Sequence, residues 1–597
     1  MAQVQLHFIF VFLCFVTACN LPEQEAANST ANNSSKVRGW NILSDNEPNA
    51  LRVIEAASNY DINHLQLSHE IVMDLRDVRD TARQGLTRRL TRRAHDEGIE
   101  EVVVWDHALY DLEYYPDKYK TGPDSTINLD NPEFWEWFRN DYRDMLDRVP
   151  EVDGIVLTFI ETGAHVEDQY SEAMPTDQEK LARLVDEVAS VLMDEYGKAL
   201  YIRTFIYTKE ELEAILKCLN LIEHEDITVM MKEVPHDFFL THPVNEHVRD
   251  INRPVIVEFD GGHEYQGQGI LMNTFVDTAL KRWKYYLKQS NVVGYVARTD
   301  RYGETTAINR PHEVNLLAYH RAQQDSSISA DSVYQEFINE RYGEAGVDQL
   351  LPVFQNAYDM ITSSFYSLGL NTVNHSRLDF DYPSIYVRHN SGRWLAEKTF
   401  YLEHDVNQTF HYWKDVMNHL APLSAKQSRQ VAIEAPEALE KGWVDMEEKI
   451  NLKYVKHVTA EKDYSVALIE DMLERVRGAD LDNEHLLAFQ DLHYTMERTL
   501  LTARIRRATA KAYYGYRLYA RGINFRRPEL SQIIQEGLSE IEEVTPLIEN
   551  YEPGAPEGGQ WNWRQDVETA REYRRLITES GWDKFGGVVF QPKEPRQ

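Results

Sequence analysis

The chain has 597 residues, too many for one hydrophobic core, so it divides into one large domain and a further one. Its formal net charge is −34, an exterior that argues against nucleic acid and other anionic polymers as nonspecific partners. Only Cys14, Cys19 and Cys218 occur, which excludes a disulfide framework and a cysteine metal cluster.

Residues 1–19 contain the apolar stretch HFIFVFLCFVTAC, too short to span a membrane as a mature helix. It ends in Val16-Thr17-Ala18-Cys19, which resembles a bacterial lipoprotein box and predicts Cys19 as the lipidated first residue. The segment before the apolar run lacks Lys and Arg, and a plain secretory signal is the alternative. Either way the expectation is an exported protein of the cell envelope, in the periplasm or on the outer-membrane surface, touching the membrane only through its anchor. Residues 20–37 are polar and poor in apolar side chains and read as a flexible tether.

Eight apolar, β-branched runs follow: 39–44, 62–69, 100–108, 153–161, 199–207, 227–233, 254–260 and 291–300. Amphipathic helical stretches such as EPNALRVIEAASNY and EKLARLVDEVASVLMDEYG separate them. This alternation predicts an α/β fold, a (β/α)8 TIM barrel over residues 38–330, followed by an α-helical C-terminal domain over residues 331–597. A doubly wound sheet is the alternative, but GWNILSDNEP lacks the glycine-rich phosphate turn that such sheets carry after the first strand.

Three carboxylates, Glu161, Asp237 and Glu264, fall at or just beyond the ends of strand runs, and a barrel gathers strand C-termini on one face. Carboxylates converging from different strands suit glycosidic-bond chemistry, in which an acid protonates the leaving oxygen and a base activates water. Lys232, Arg203, Arg298 and Arg301 at the same ends are suited to a uronate carboxylate, and Trp105 and Trp40 to stacking on a sugar ring.

The stretch MMKEVPHDFFLTHPVN followed by PVIVEFDGGHEYQGQG resembles the sixth- and seventh-strand signatures of the α-glucuronidases of glycoside hydrolase family 67. In that family the aspartate of a K-x-x-x-x-D segment and the glutamate of a Q-E-Y-L-G-Q segment activate water together; Lys232, Asp237 and Glu264 take the matching places. GIVLTFIETG resembles the fourth-strand segment that carries the general acid, which maps to Glu161, and YIRTFIY resembles the fifth-strand element, which implies Arg203 and Tyr207 in the pocket. The resemblance covers roughly residues 39–345, without the family's N-terminal domain. It implies an exo-acting, inverting hydrolase for the terminal uronic acid of oligosaccharides.

A second chemistry fits the same residues. A base near C5 of a terminal uronate, such as Tyr265, His263 or His236, removes the acidic proton and expels the C4 hydroxyl, making the chain a dehydratase or lyase. A non-catalytic glycan-binding lipoprotein is the third reading, with no use for three convergent carboxylates. His236, His242, His247 and His263 cluster beside the acids, but their spacing does not place two ligands one helical turn apart near a third, so neither a metal nor a cofactor is expected. Cys218 in EAILKCLN reads as a packed core thiol, and the aromatic residues of FWEWF (134–138) as core.

Beyond residue 330 the pattern is helical. RIRRATAK within the run 487–522 reads as a salt-bridged helix face, and the turn- and aromatic-rich stretch 370–394 as a loop returning over the barrel mouth. A uronate-containing oligosaccharide is the expected partner, nucleic acid is not, and a homodimer is compatible with the sequence.

Overall fold

A computed structural model of the chain describes residues 37–580 except 160, 206–208, 235–236, 241–243, 368–369, 372, 379–451, 480–482, 521–527, 557–558 and 560. Eight parallel strands close into a barrel in sequence order, the first pairing with the eighth. They are β1 (Val37–Ile42), β2 (His64–Leu67), β3 (Glu101–His107), β4 (Gly154–Thr158), β5 (Ala199–Arg203), β6 (Thr228–Lys232), β7 (Val255–Phe259) and β8 (Val292–Arg298). Each lies within or against its predicted run, because short β-branched segments bounded by turns bury both faces only in a parallel sheet.

Alternate residues of each strand serve two layers. Val103, Trp105, Val156, Tyr201, Met230, Ile256 and Val296 fill the barrel interior. Their neighbours, such as Val102, Val104, Ile155 and Leu157, face the surrounding helices: α1 (Glu47–Ala56), α2 (Thr81–Asp96), α3 (Pro132–Arg148), α4 (Asp177–Ala189), α5 (Lys209–Cys218), α6 (Val276–Tyr286) and α7 (Glu313–Gln324). Phe134, Trp135 and Phe138 of α3 and Cys218 of α5 are buried in this outer layer. Trp40 also belongs to it, packing on Tyr60 at 5.1 Å, so it faces the helices and not a sugar. Between β6 and β7 the described residues form no α-helix, only a 3-10 turn, Glu246–Asp250, and the connection is given over to the mouth.

Helices α8 (Ala330–Tyr342), α9 (Val347–Gln355) and α10 (Ala357–Phe365) lead into four short strands, β9 (Tyr366–Ser367), β10 (Leu370–Asn371), β11 (Val373–Asn374) and β12 (Arg377–Leu378). Four longer helices complete the described chain: α11 (Leu452–Arg477), α12 (Leu486–Ala520), α13 (Pro528–Glu549) and α14 (Gln565–Glu579). The RIRRATAK face is ion-paired: Arg504 and Arg507 with Glu540, Lys511 with Asp463 and Glu536, and Arg506 with Asp566. Among the described residues no helix is long and apolar enough to cross a membrane.

Candidate active site

The strand alternation that points Trp105, Val156, Tyr201, Met230, Ile256 and Val296 inward also points His107, Thr158, Arg203, Lys232, Glu258 and Arg298 inward, one step nearer the C-terminal face. Apolar residues fill the middle of the barrel, and the layer above them is polar. On β5–β8 this layer is a buried ionic ladder. Glu258 accepts from Arg203 Nε at 2.8 Å and from Arg298 Nε at 2.9 Å. Arg298 Nη1 continues to Glu264 Oε2 at 3.2 Å, and Arg301 Nη2 reaches Glu264 Oε1 at 2.6 Å.

Burial alone raises a carboxyl pKa; at Glu258 the charges of Arg203, Arg298 and Lys232 overcome it and hold the group at about 2. Glu264 is likewise held below its ordinary value: against burial, Arg301 and a hydrogen bond from His375 keep it ionised. His375 Nδ1 lies 2.8 Å from Glu264 Oε1, and Ser376 Oγ donates to the Glu264 carbonyl. Both residues sit at the tip of the β11–β12 hairpin with φ of +44° and +71°, the left-handed conformations of a tight turn. The returning loop predicted over 370–394 therefore reaches the mouth within residues 373–378; its remainder, from 379, lies outside the described residues.

Asp237 joins this group from the β6–β7 connection. Lys232 Nζ donates to its Oδ1 at 2.8 Å, the Tyr265 hydroxyl donates to Oδ2, and the Phe238 amide donates to Oδ1 at 3.1 Å. Tyr265 stacks on His375 at 5.5 Å, so it stands between the aspartate and the hairpin. Burial, with the negative charges of Asp237 and Glu264, raises the Tyr265 hydroxyl well above its ordinary pKa. Burial together with Arg203 and Arg298 lowers Lys232 despite its ion pair.

Glu161 stands three residues beyond β4, exposed, with φ of +66°. The turn that carries it is pinned by reciprocal backbone hydrogen bonds between Leu109 and Ala164. Gly163 permits this, since a Cβ there would lie 2.2 Å from Asp111 Oδ1. His69, His263 and Tyr302, beyond β2, β7 and β8, share positive φ values of +52°, +56° and +69°. Such conformations cost about 1–3 kcal/mol each and gather at functional sites.

Several expected residues stand elsewhere than anticipated. Trp105 is fully buried: its Nε1 donates to Gln66 Oε1 at 2.9 Å and the Arg203 guanidinium lies 4.6 Å from its ring, so it supports that arginine and offers no sugar platform. Arg203 and Arg298 are committed to Glu258, and Arg298 makes no ion pair with Asp300, which instead accepts from the Leu43 and Ser44 amides. His263 turns away from the mouth toward Asn315, Phe275 and His312, and burial pushes its imidazole down to about 3. The side chain bends back because the chain after Asp260 turns tightly, the Glu264 amide donating to Asp260 Oδ2 at 2.8 Å. Tyr207, His236 and Cys19 lie outside the described residues.

Four groups that sequence reading passed over, or named only as charge, complete the mouth. Arg301 is buried, yet among the described residues its Nε and Nη1 have no hydrogen-bond partner. His107 Nδ1 contacts the Met73 carbonyl at 2.8 Å, an acceptor, so this nitrogen carries the proton and the buried, unpartnered Nε2 presents a lone pair when the ring is neutral. Thr158, its register partner on β4, has an equally unpartnered Oγ1. His69 lies 5.0 Å from the Trp105 ring and 5.6 Å from Tyr302, and burial with the charges of Arg298 and Arg301 keeps it neutral, well below its ordinary pKa. The signal for His107 and Thr158 was present: each is the last inward position of its strand. Among the described residues no three His, Cys, Asp or Glu side chains are grouped to hold a metal ion.

No family model and no curated protein sequence matches the chain. Among solved structures, a GH138 enzyme targeting pectin rhamnogalacturonan II is similar at a TM-score of 0.55 and 12% identity, over 91% of this chain and 68% of that one. A GH115 4-O-methyl-α-glucuronidase with specificity for decorated arabinogalactans aligns at 0.47 and 11%, over 94% and 63% of the two chains. Thermobaculum terrenum O-GlcNAc hydrolase aligns at 0.43 and 11%, over 92% and 95%. At such identity the first match establishes a shared fold alone, a (β/α)8 barrel followed by a helical region, and does not single out family 67.

Proposed function

We propose that the chain is a carbohydrate-active enzyme acting on the terminal uronic acid of oligosaccharides, an exo-acting inverting hydrolase of the α-glucuronidase kind. The observation that carries this reading is the pair Asp237 and Glu264 at one mouth, the first held by Lys232 and Tyr265 and the second by Arg298, Arg301 and His375. Carboxylates held by cations stay ionised and accept hydrogen bonds, so they can orient and polarise the water on the far side of an inverting site. In this reading Arg301, with two nitrogens left over, Nε and Nη1, takes the uronate carboxylate, and Glu161 protonates the leaving oxygen. Arg203 and Arg298 position Glu258 and Glu264 and do not touch the sugar. The family 67 likeness of the Lys232–Asp237 and Glu264 segments supports the substrate class, and the shared barrel supports the scaffold.

A second reading, dehydration, is favoured by one observation, the lone pair on His107 Nε2. There the C5 proton passes to His107, the C4–O bond breaks to leave a C4–C5 double bond, and the hydroxyl departs as water with a proton from Glu161. Mass spectrometry with ultraviolet absorbance on uronate-terminated oligosaccharides separates the two. Release of free uronic acid, reduced about 10²- to 10⁴-fold in Glu161→Gln, supports hydrolysis. Loss of one water without cleavage, with new absorbance that disappears in His107→Gln, replaces hydrolysis by dehydration. Export and the Cys19 anchor belong to the same proposal; a Cys19→Ala chain that remains in the membrane fraction after export would remove the anchor from it.

A further inference from the structure

A cavity of about 610 Å³ opens beside the β1 and β8 ends, between the barrel and the helical region. Asn49 and Arg52 of α1, Arg310 of the connection after β8, Asp491, Tyr494 and Arg498 of α12, and the 553–556 turn line it. Arg498 is buried, and its hydrogen bonds go to the carbonyls of Ile270 and Gly554 and to Thr495 Oγ1, all neutral acceptors. Among the described residues it makes no ion pair with a carboxylate: Asp491 is taken by Arg310. A buried cation with no carboxylate in contact is costly: burial, only partly offset by the charge of Asp491 at longer range, lowers the guanidinium from its ordinary pKa to about 10, which still leaves it charged at neutral pH.

Two further groups at this cavity lack partners among the described residues. Asn49 Nδ2 is a buried donor, its Oδ1 already accepting from Arg52, and Asp491 Oδ2 is a buried acceptor. A small inorganic anion would answer Arg498 but leave Asp491 Oδ2 without a donor. A sugar carrying an acidic substituent answers all three, with the anion on Arg498, Asn49 and Arg52 and a hydroxyl donating to Asp491; the Tyr494 ring and Pro553 supply apolar contact.

The place is also suitable. Arg301 and Tyr302 belong to the candidate active site, and Glu304, three residues from Arg301, lines the cavity. Three residues of chain span at most about 10 Å. We propose that this cavity is a second, anion-reading subsite, which holds a sulfate- or carboxylate-bearing sugar unit of the same oligosaccharide whose terminal uronate occupies the mouth. The proposal rests on the reading that the substrate is an acidic oligosaccharide.

The test is isothermal titration of the full chain with trisaccharides carrying a sulfate ester, a uronate or neither, alongside inorganic sulfate. It is run on the wild type, Asn49→Asp and Arg52→Glu. Asp at position 49 lies in the first turn of α1, where a negative charge suits the helix dipole, so the fold is retained while the donor is lost and Arg52 is neutralised. The expected result is binding of the acidic trisaccharides, weakened about 10- to 100-fold in both variants, with turnover of a terminal disaccharide unchanged. Preference for the sulfated or the uronate ligand identifies the acidic group. Equal binding of the neutral trisaccharide, or equal affinity in wild type and variants, overturns the subsite. Variant-sensitive binding without turnover of any acidic oligosaccharide leaves the subsite standing and removes the proposed activity.

Discussion

Glu258 is the residue on which the ionic layer turns. It is buried between two arginines, so Glu258→Gln leaves Arg203 without its carboxylate and Arg298 with Glu264 alone, and should cost about 3–5 kcal/mol in urea unfolding at neutral pH. The pH dependence has a definite sign. A carboxylate at about 2 in the folded chain, against 4.5 when unperturbed, contributes stability above pH 4.5 that is lost as pH falls toward 2. The loss is on the order of 3 kcal/mol and should be missing from a pH series of urea midpoints for Glu258→Gln. His107 offers a test of another kind. Under hydrolysis its Nε2 accepts a sugar hydroxyl, so His107→Gln should raise KM about tenfold and change kcat little. A fall in kcat alone assigns it to proton transfer.

At the scale of elements, the β11–β12 hairpin is what keeps Glu264 ionised from outside the barrel. His375 lowers the Glu264 pKa through its hydrogen bond and its charge, and Ser376 fixes the neighbouring backbone. In His375→Ala that support is gone and the carboxyl pKa rises. The acid limb of the pH–kcat/KM profile should therefore move to higher pH, with the neutral-pH rate falling less; an unmoved limb would detach the hairpin from catalysis. The elements also show where sequence reading succeeded. DGIVLTFIE and PVIVEFD announce strands because β-branched runs between turns have few other ways to bury themselves. The hairpin tip was less legible: nothing local in NTVNHSRL says that a histidine 111 residues beyond Glu264 will contact it.

The whole molecule holds that hairpin in place. Arg506 of α12 donates to the Ser376 carbonyl and to Asp566 of α14, and Asp566 also accepts the Leu378 amide at 2.9 Å. The helical region is thus a clamp that carries the hairpin to the barrel, and the described residues belong to one compact unit. Asp566→Ala strands a buried arginine and should cost about 3–5 kcal/mol in urea unfolding. It should also lower the activity of the still-folded fraction, measured per native molecule by circular dichroism. A loss of stability with full specific activity would make the clamp a support for the helices only.

The sequence alone determined the eight-strand alternation, the helical second half and the convergence of Asp237 and Glu264 on one face, because each follows from local periodicity and from the closure rule of parallel barrels. It also placed Lys232 beside Asp237, five residues along the same connection. Tertiary structure decided what each polar group is committed to. Whether Arg203 meets a ligand or Glu258, whether His263 faces the mouth or Asn315, and whether Arg301 keeps donors in reserve are settled by groups 37 to 55 residues away. Charge type is written in the chain; the partner that neutralises it, and so the charge left over for a ligand, is set only when distant strands close the barrel.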